Sequence, residues 1–106
     1  MAREQLQSLT EPMFFILLAL ARPMHGYEIM RVIKNISNDG VNVGAGTLYA
    51  LLTRFEKENI VCRVQDDGRR KIYRLTEKGR ELLDCEYSRL KETIAAYDSY
   101  IVETTG

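Results

Sequence analysis

Apolar residues recur with a helical period in residues 44–59. They fall at positions i, i+3, i+4 and i+7, the spacing of one helix face, and are Leu48, Leu51, Leu52 and Phe55. The opposite side carries Gly46, Ala50, Thr53 and Lys57, and Tyr49 and Arg54 flank it. This face therefore offers small residues, hydroxyl groups and two cations. This pattern fits an ordinary amphipathic helix as well as a helix that approaches a phosphate-lined groove, so the neighbouring segments must decide between them.

An apolar run, Met13–Ala21, precedes this segment. Thr10 is a suitable N-cap, followed by acidic and proline residues that favour a first turn, so a helix is expected from there to Arg22-Pro23. Its nine apolar residues are too few to span a bilayer. Because the run is apolar on all sides, we expect a second copy of the chain to cover part of it, including Phe14 and Phe15.

A second helix is predicted to open at His25–Glu28, with Ile29, Met30 and Ile33 on its core face. His25 is most simply an N-terminal cap or packing residue, since no catalytic partner for it is evident. The run Ser37–Gly40 predicts a turn. Residues 41–43 then predict a short strand or an extended link into the third helix.

A β-hairpin is predicted after the third helix. Residues 60–65 form its first strand, 66–68 its turn and 69–75 its returning strand. The tip carries Arg69, Arg70 and Lys71 in succession. Such a run can keep a hairpin soluble, but three cations at a tip favour contact with phosphates.

The last segment predicts a long helix capped by Thr76. Apolar residues follow at alternating spacings of four and three, an a/d seam of almost three heptads: Leu83, Tyr87, Leu90, Ile94, Tyr97 and Ile101. So small a domain offers little surface to cover this seam. A contact between two copies is therefore favoured over a helix that folds back on its own domain.

Composition narrows the class of function. The chain has 106 residues, is 45% hydrophobic and carries no formal net charge, which fits one globular domain. Locally, residues 61–75 hold five cations against two anions, whereas residues 76–106 hold four against seven. This asymmetry favours a basic hairpin beside an acidic C-terminal third.

Candidate chemistry for catalysis or metal binding is missing from the sequence. Cys62 and Cys85 lack metal-ligand spacing and the chain has a single histidine, so no zinc site and no cofactor are expected. Reduced thiols fit a cytoplasmic protein. With no coherent nucleophile, phosphate loop or paired acids, an enzyme is the weakest hypothesis.

The order of three helices, a short strand and a basic hairpin is that of a winged helix-turn-helix domain. Here the sequence also resembles the PadR-like transcriptional regulators. The matching segments occur in family order: Leu9–Met13, His25–Ile29, Gly46–Tyr49, Arg54–Lys57 and Gly68–Gly79. The fold class implied is mainly α with a small β-hairpin. Residues 1–75 would form the winged helix-turn-helix DNA-binding domain, and residues 76–106 a single C-terminal dimerisation helix, as in the short subgroup.

The resemblance assigns DNA contacts to Tyr27, Thr47, Tyr49, Ala50, Thr53, Arg54, Lys57, Arg69, Arg70 and Lys71. We expect phosphate contacts from Tyr49, Arg70 and Lys71, and proximity to bases from Thr47, Ala50 and Thr53. Arg54 is equally suited to an intrahelical ion pair with Glu58. Some short relatives bind flat hydrophobic effectors between paired helices, which here would involve Tyr87, Leu90, Ile94 and Tyr97, although the same residues suit a plain dimer core.

Two hypotheses from different classes follow. The first is a homodimeric repressor that binds a palindromic operator in double-stranded DNA, with release by a small hydrophobic effector as a further option. The second is a winged-helix module that binds another protein and has no specific affinity for DNA, which the neutral overall charge favours.

Overall fold

The computed structural model describes residues 9–64 and 71–105. The helices are α1 (Glu11–Ala19), α2 (Gly26–Ile36), α3 (Ala45–Lys57) and α4 (Glu77–Thr105), and the strands are β1 (Met24–His25), β2 (Val61–Val64) and β3 (Ile72–Leu75). Four helices and a small sheet confirm the predicted fold class. Residues 41–43 form an extended link without strand pairing.

Helix starts follow the local sequence. The Thr10 side chain accepts a hydrogen bond from the Met13 N–H at 3.3 Å, which caps α1. In α2, the Glu28 carboxylate accepts from the His25 N–H at 3.4 Å. Thr76 Oγ1 accepts from the Gly79 N–H at 3.0 Å and so caps α4. Each cap satisfies a backbone donor that the helix itself leaves unpaired.

The sheet has three antiparallel strands in the order β1-β3-β2. The predicted hairpin is β2 and β3, which pair from Val61 opposite Leu75 to Val64 opposite Ile72. The two-residue β1 adds to the other edge of β3, with Met24 opposite Tyr73. A two-residue strand shows no alternating pattern, so the sequence did not reveal it.

One core joins all four helices to the sheet. Its most buried members are Ile16, Leu17, Leu20, Ile29, Ile33, Leu48, Leu52, Phe55 and Val61, each at most 2% exposed. The apolar stripe of α3 predicted from the sequence supplies three of them. Burial on this scale is the main source of the fold's stability.

Helix α1 is partly covered by its own chain. It contacts both α2 and α4, and its partly buried Phe14 and Phe15 pack against the chain's own core. Leu18 is its exposed large side chain, at 36%. The chain thus covers part of this apolar helix itself, and the contact of Phe14 and Phe15 with a second copy stays a prediction.

The joint between α3 and α4 is tightly packed. Asn59 takes a positive φ of 64°, which turns the chain after α3. Thr76 Oγ1 donates to the Asn59 carbonyl at 2.7 Å, and Lys78 Nζ donates to the Glu58 carbonyl at 2.9 Å. At Gly79 a Cβ atom would run into the Ile60 carbonyl, so the close approach of α4 to Ile60 requires a glycine.

Candidate nucleic-acid interface

The outer face of α3 is open. Its polar and small residues are all exposed in the chain: Gly46, Thr47, Tyr49, Ala50, Thr53, Arg54 and Lys57. An added Cβ atom would meet nothing within 4 Å at Gly44 or Gly46, so the start of α3 faces open space. Unlike α1, α2 and α4, helix α3 has no acidic residue in its first turn. Its N-terminal N–H groups and helix dipole therefore favour an anion.

Tyr49 connects α3 to the start of α2. A Cβ atom on the buried Gly26 would overlap the Tyr49 phenol ring and hydroxyl, so the ring lies directly on the α2 backbone. Tyr27, the next residue, is 66% exposed. The Tyr49 hydroxyl thus lies at the N-terminus of α2, next to the exposed Tyr27. Sequence reasoning did not identify the role of Gly26, because nothing in its local pattern points to α3.

Two residues on the face of α3 already have intrahelical partners. Arg54 Nε donates to Glu58 Oε2 at 3.0 Å, with both side chains about half exposed (57% and 46%). The alternative that pairs Arg54 with Glu58 is therefore present in the structure. Thr53 Oγ1 donates to the Tyr49 carbonyl at 2.9 Å, which leaves its oxygen able to accept a hydrogen bond.

The base of the hairpin is fixed beside the same part of α2. His25 Nδ1 donates to the Lys71 carbonyl at 3.4 Å, and β1 holds His25 opposite Ile72. The packing role expected for His25 is confirmed. Lys71 itself is exposed, whereas Arg69 and Arg70 lie outside the described residues. A chain of contacts thus runs from Tyr49 through Gly26 and His25 to Lys71.

The hairpin is also tied to α3 on its other side. Arg63 on β2 donates to Glu56 on α3 through Nε at 2.7 Å. Tyr73 on β3 is 6% exposed, and burial raises the pKa of its phenol, with the Glu56 charge adding to the effect. These contacts attach the described part of the hairpin to α3, so the ends of β2 and β3 keep a fixed position relative to the α3 face.

The seam of α4 divides into a covered and an uncovered part. Leu83, expected at a contact between copies, is 5% exposed and belongs to the chain's own core, which corrects its assignment to an exposed seam. Leu90 is half-buried. The remaining seam residues are exposed in the single chain: Tyr87 at 56%, Ile94 at 60%, Tyr97 at 64% and Ile101 at 36%.

Glu86 marks the boundary between these parts and is 7% exposed. It accepts two hydrogen bonds from Arg89, the shorter at 2.6 Å from Nη2. That contact, helped by the Leu9 backbone N–H, lowers the pKa of Glu86 despite the opposing effect of burial. The arrangement holds the start of the described chain against α4.

No cluster of potential metal ligands occurs in residues 9–64 and 71–105. Within the same ranges, no helix is long and apolar enough to cross a membrane. The described residues that stand out for possible contacts are the α3 face, the start of α2 and the hairpin base.

Several curated proteins resemble the chain. A protein of Lysinibacillus sphaericus described as uncharacterized protein X is 36% identical over 84 residues, which cover 73% of this chain and 77% of that protein. A 37.1 kDa protein in transposon TN4556 of Streptomyces fradiae is 42% identical over 72 residues, 67% of this chain but 20% of its own length. The transcriptional regulator YqjI of Escherichia coli is 27% identical over 60 residues, 57% of this chain and 29% of that protein.

Solved structures share the fold across most of the chain. RosR of H. salinarum, in the complex structure hsRosR-S4, is 27% identical and superposes with a TM-score of 0.69, covering 96% of this chain and 99% of that one. A PadR family transcriptional regulator from Eggerthella lenta is 28% identical with a TM-score of 0.64, covering 86% and 80%. The model of the transcriptional regulator PadR-like family matches residues 16–85. This chain therefore belongs to the PadR-like family of transcriptional regulators, which bind DNA and are not enzymes.

Proposed function

We propose that this chain is a cytoplasmic, homodimeric repressor that binds a palindromic operator. The observation that carries the proposal is the continuous surface formed by the α3 face, the start of α2 and the hairpin base, which the contacts from Tyr49 to Lys71 hold together. In this arrangement α3 enters the major groove while α2 and the hairpin contact the backbone on either side.

Roles within this surface follow from its chemistry. Thr47, Ala50 and Thr53 are small enough to let α3 approach base edges, and the hydroxyls add hydrogen bonds. Tyr27, Tyr49 and Lys71 are proposed to contact phosphates. Arg54 and Lys57 extend the cationic side of α3, and Arg69 and Arg70 are proposed to continue it on the hairpin tip.

Selection from a pool of random palindromic duplexes tests the proposal directly. We expect one palindrome to be recovered, with half-sites about one helical turn (~34 Å) apart. A protein–protein interaction module would select nothing and would lack affinity for random duplex at low salt, where a DNA-binding protein retains non-specific affinity. That result would overturn the proposal.

The salt dependence of affinity tests the hairpin. Lys71→Ala should lower the slope of log Kd against log salt by about 0.9, the loss of one phosphate contact, and should weaken binding to all sequences alike. Lys34→Ala is the matched control, because Lys34 is an exposed lysine in the last turn of α2, at the opposite end from Tyr27. An unchanged slope in Lys71→Ala would remove the hairpin base from the interface.

The exposed seam of α4 is proposed to form the contact between the two copies. Tyr87, Leu90, Ile94 and Tyr97 would also line any site for a small hydrophobic effector between them. Such a ligand would release DNA only if it bound the DNA-free form of the dimer more tightly than the DNA-bound form.

A further inference from the structure

Within residues 9–64 and 71–105, no other segment covers the last part of α4. Every residue from Lys91 to Thr105 is exposed, including the large apolar side chains of Ile94, Tyr97 and Ile101. An apolar line of this length on an otherwise polar helix is typical of a surface that another helix covers. The charges on either side of the line determine which pairing of two identical helices is favourable.

Heptad positions place different residues on the two flanks of the seam. One flank carries Asp84, Lys91 and Asp98, and the other carries Glu86, Thr93 and Tyr100. Lys91 is held beside the seam, with its Nζ 5.3 Å from the centre of the Tyr87 ring. Neither Lys91 nor Asp98 has an oppositely charged residue three or four positions away in the sequence, so intrahelical ion pairing does not compete for them.

Parallel pairing offers little electrostatic stabilisation. In a parallel pair, opposite flanks meet, so Glu86 would face Lys91 of the second copy and Thr93 would face Asp98. Glu86 is 7% exposed and bound to Arg89, so it is not available to a second chain. No complementary charges remain along the exposed part of the seam in that orientation.

In an antiparallel pair, each flank of the seam meets the same flank of the second copy. The helices can then pair in several registers, which differ in the charges that they bring together. One register places Lys91 opposite Lys91 of the second copy, and another places Asp98 opposite Asp98, both repulsive. A third pairs Asp84 with Lys91 but requires Leu83 at the contact, where it is 5% exposed in its own core. In the remaining register, Lys91 of each copy lies opposite Asp98 of the other, which gives two ion pairs per dimer.

We propose that two copies of this chain pair antiparallel through α4 in that last register. Ile94 of each copy packs against Tyr97 of the other, Leu90 packs against Ile101, and the two Lys91–Asp98 ion pairs close one flank. Thr93 and Tyr100 meet on the other flank through hydroxyl groups. The two-fold axis passes between residues 95 and 96. This inference rests on the proposed homodimer and adds its orientation and register.

Charge exchange tests the register. Lys91→Glu and Asp98→Lys each create two like-charge contacts per dimer, so each should raise the dimer dissociation constant about tenfold in sedimentation equilibrium. The double variant K91E/D98K restores both ion pairs and should return to within about twofold of the original. An equimolar mixture of the two single variants should form heterodimers of similar affinity. Glu92→Lys is the control, because its side chain lies opposite the seam and should leave the constant unchanged.

A carbodiimide, which joins a carboxylate to an amine only when the two are in contact, gives an independent readout. In a mixture of 14N- and 15N-labelled wild-type chains, peptides of mixed label should contain Lys91 joined to Asp98. Lys91 joined to Asp84, or no restoration by K91E/D98K, would overturn this register while leaving the dimer intact. A wild-type chain that is monomeric at high concentration would overturn the proposed homodimer itself.

Discussion

Two helices of this protein carry the same kind of apolar stripe and use it differently. On α3 the stripe of Leu48, Leu52 and Phe55 is at most 2% exposed, and it packs into the core. On the second half of α4 the stripe that includes Ile94 and Tyr97 is 60% and 64% exposed. The periodicity of the two segments is equivalent, but their surroundings in the single chain are not.

The contrast shows that a helical period identifies a face without identifying what covers it. Helix α3 lies against β2 and α2, so its opposite face becomes the exposed surface. Helix α4 extends past the domain after residue 90, so its apolar face becomes the free surface instead. In this protein the two free surfaces are proposed to serve DNA and a second copy respectively.

The largest expected effect separates the two stripes. Leu52→Ala should lower the free energy of unfolding by about 2–5 kcal/mol, because it opens a cavity in a site that is 1% exposed. Ile94→Ala should instead leave the unfolding of the dilute monomer almost unchanged and abolish the dependence of Tm on protein concentration. Denaturant unfolding gives the free energies of unfolding, and thermal unfolding at two protein concentrations gives the dependence of Tm. If both variants destabilised the dilute monomer equally, the α4 stripe would be as buried in the single chain as the α3 stripe, which would contradict this difference between the two helices.

Substitutions at two glycines compare the buried joint between α3 and α4 with the exposed face of α3. Gly79→Ala should destabilise the fold by about 1–3 kcal/mol, because the new methyl group meets the Ile60 carbonyl at the joint that attaches α4 to the domain. Gly46→Ala, where an added Cβ meets nothing within 4 Å, should stabilise it by about 0.5–1 kcal/mol through helix propensity. Urea unfolding of the two variants should therefore give shifts of opposite sign. Stabilisation by both would show that the α3–α4 joint is looser than described.

Acid titration tests the boundary between the covered and uncovered parts of α4. The pKa of Glu86 lies below its ordinary value of 4.5, mainly because of Arg89, so its ionised form stabilises the fold fully above about pH 4.5. This contribution is lost as the pH falls through the lower folded-state pKa. Glu86→Gln should therefore be less stable than the wild type at neutral pH, with a difference that shrinks in acid. A difference between Glu86→Gln and the wild type that stayed constant from neutral pH into acid would contradict the role of the Glu86–Arg89 pair.

The smallest expected effect on stability lies on the free face of α3. Arg54→Ala removes an ion pair whose two side chains are 57% and 46% exposed, so the free energy of unfolding should change by no more than about 0.5 kcal/mol. Operator affinity should fall, since the same guanidinium lies on the proposed DNA-binding face. Loss of stability with unchanged affinity would assign Arg54 to the fold.

Much of the fold was predictable because its signals are local. The caps at Thr10 and Thr76, the α3 stripe and the β2–β3 hairpin each depend on residues within a few positions of one another. The family resemblance is likewise a sequence property, since its motifs keep their order through residues 9–79. The exposed polar face of α3 follows directly once its apolar face is buried.

Contacts between distant segments were not predictable in the same way. The strand β1, the packing of Tyr49 on Gly26 and the hydrogen bond from His25 to Lys71 join residues that are 23 or more positions apart. None of these contacts could be predicted from the neighbouring sequence. Two residues are too few to show the alternation of a strand, and a glycine does not indicate which distant residue packs against it. These contacts assemble the candidate DNA-binding surface.

The sequence by itself determined the helices, the hairpin and the family, and it supplied the proposed set of DNA-contacting residues. The tertiary structure decided which apolar faces the described residues cover: Leu83 joined the core, α1 was partly covered by α2 and α4, and the seam beyond Leu90 stayed exposed. The physical reason is that periodicity depends on backbone geometry within one segment, whereas burial depends on which other segments come into contact with it.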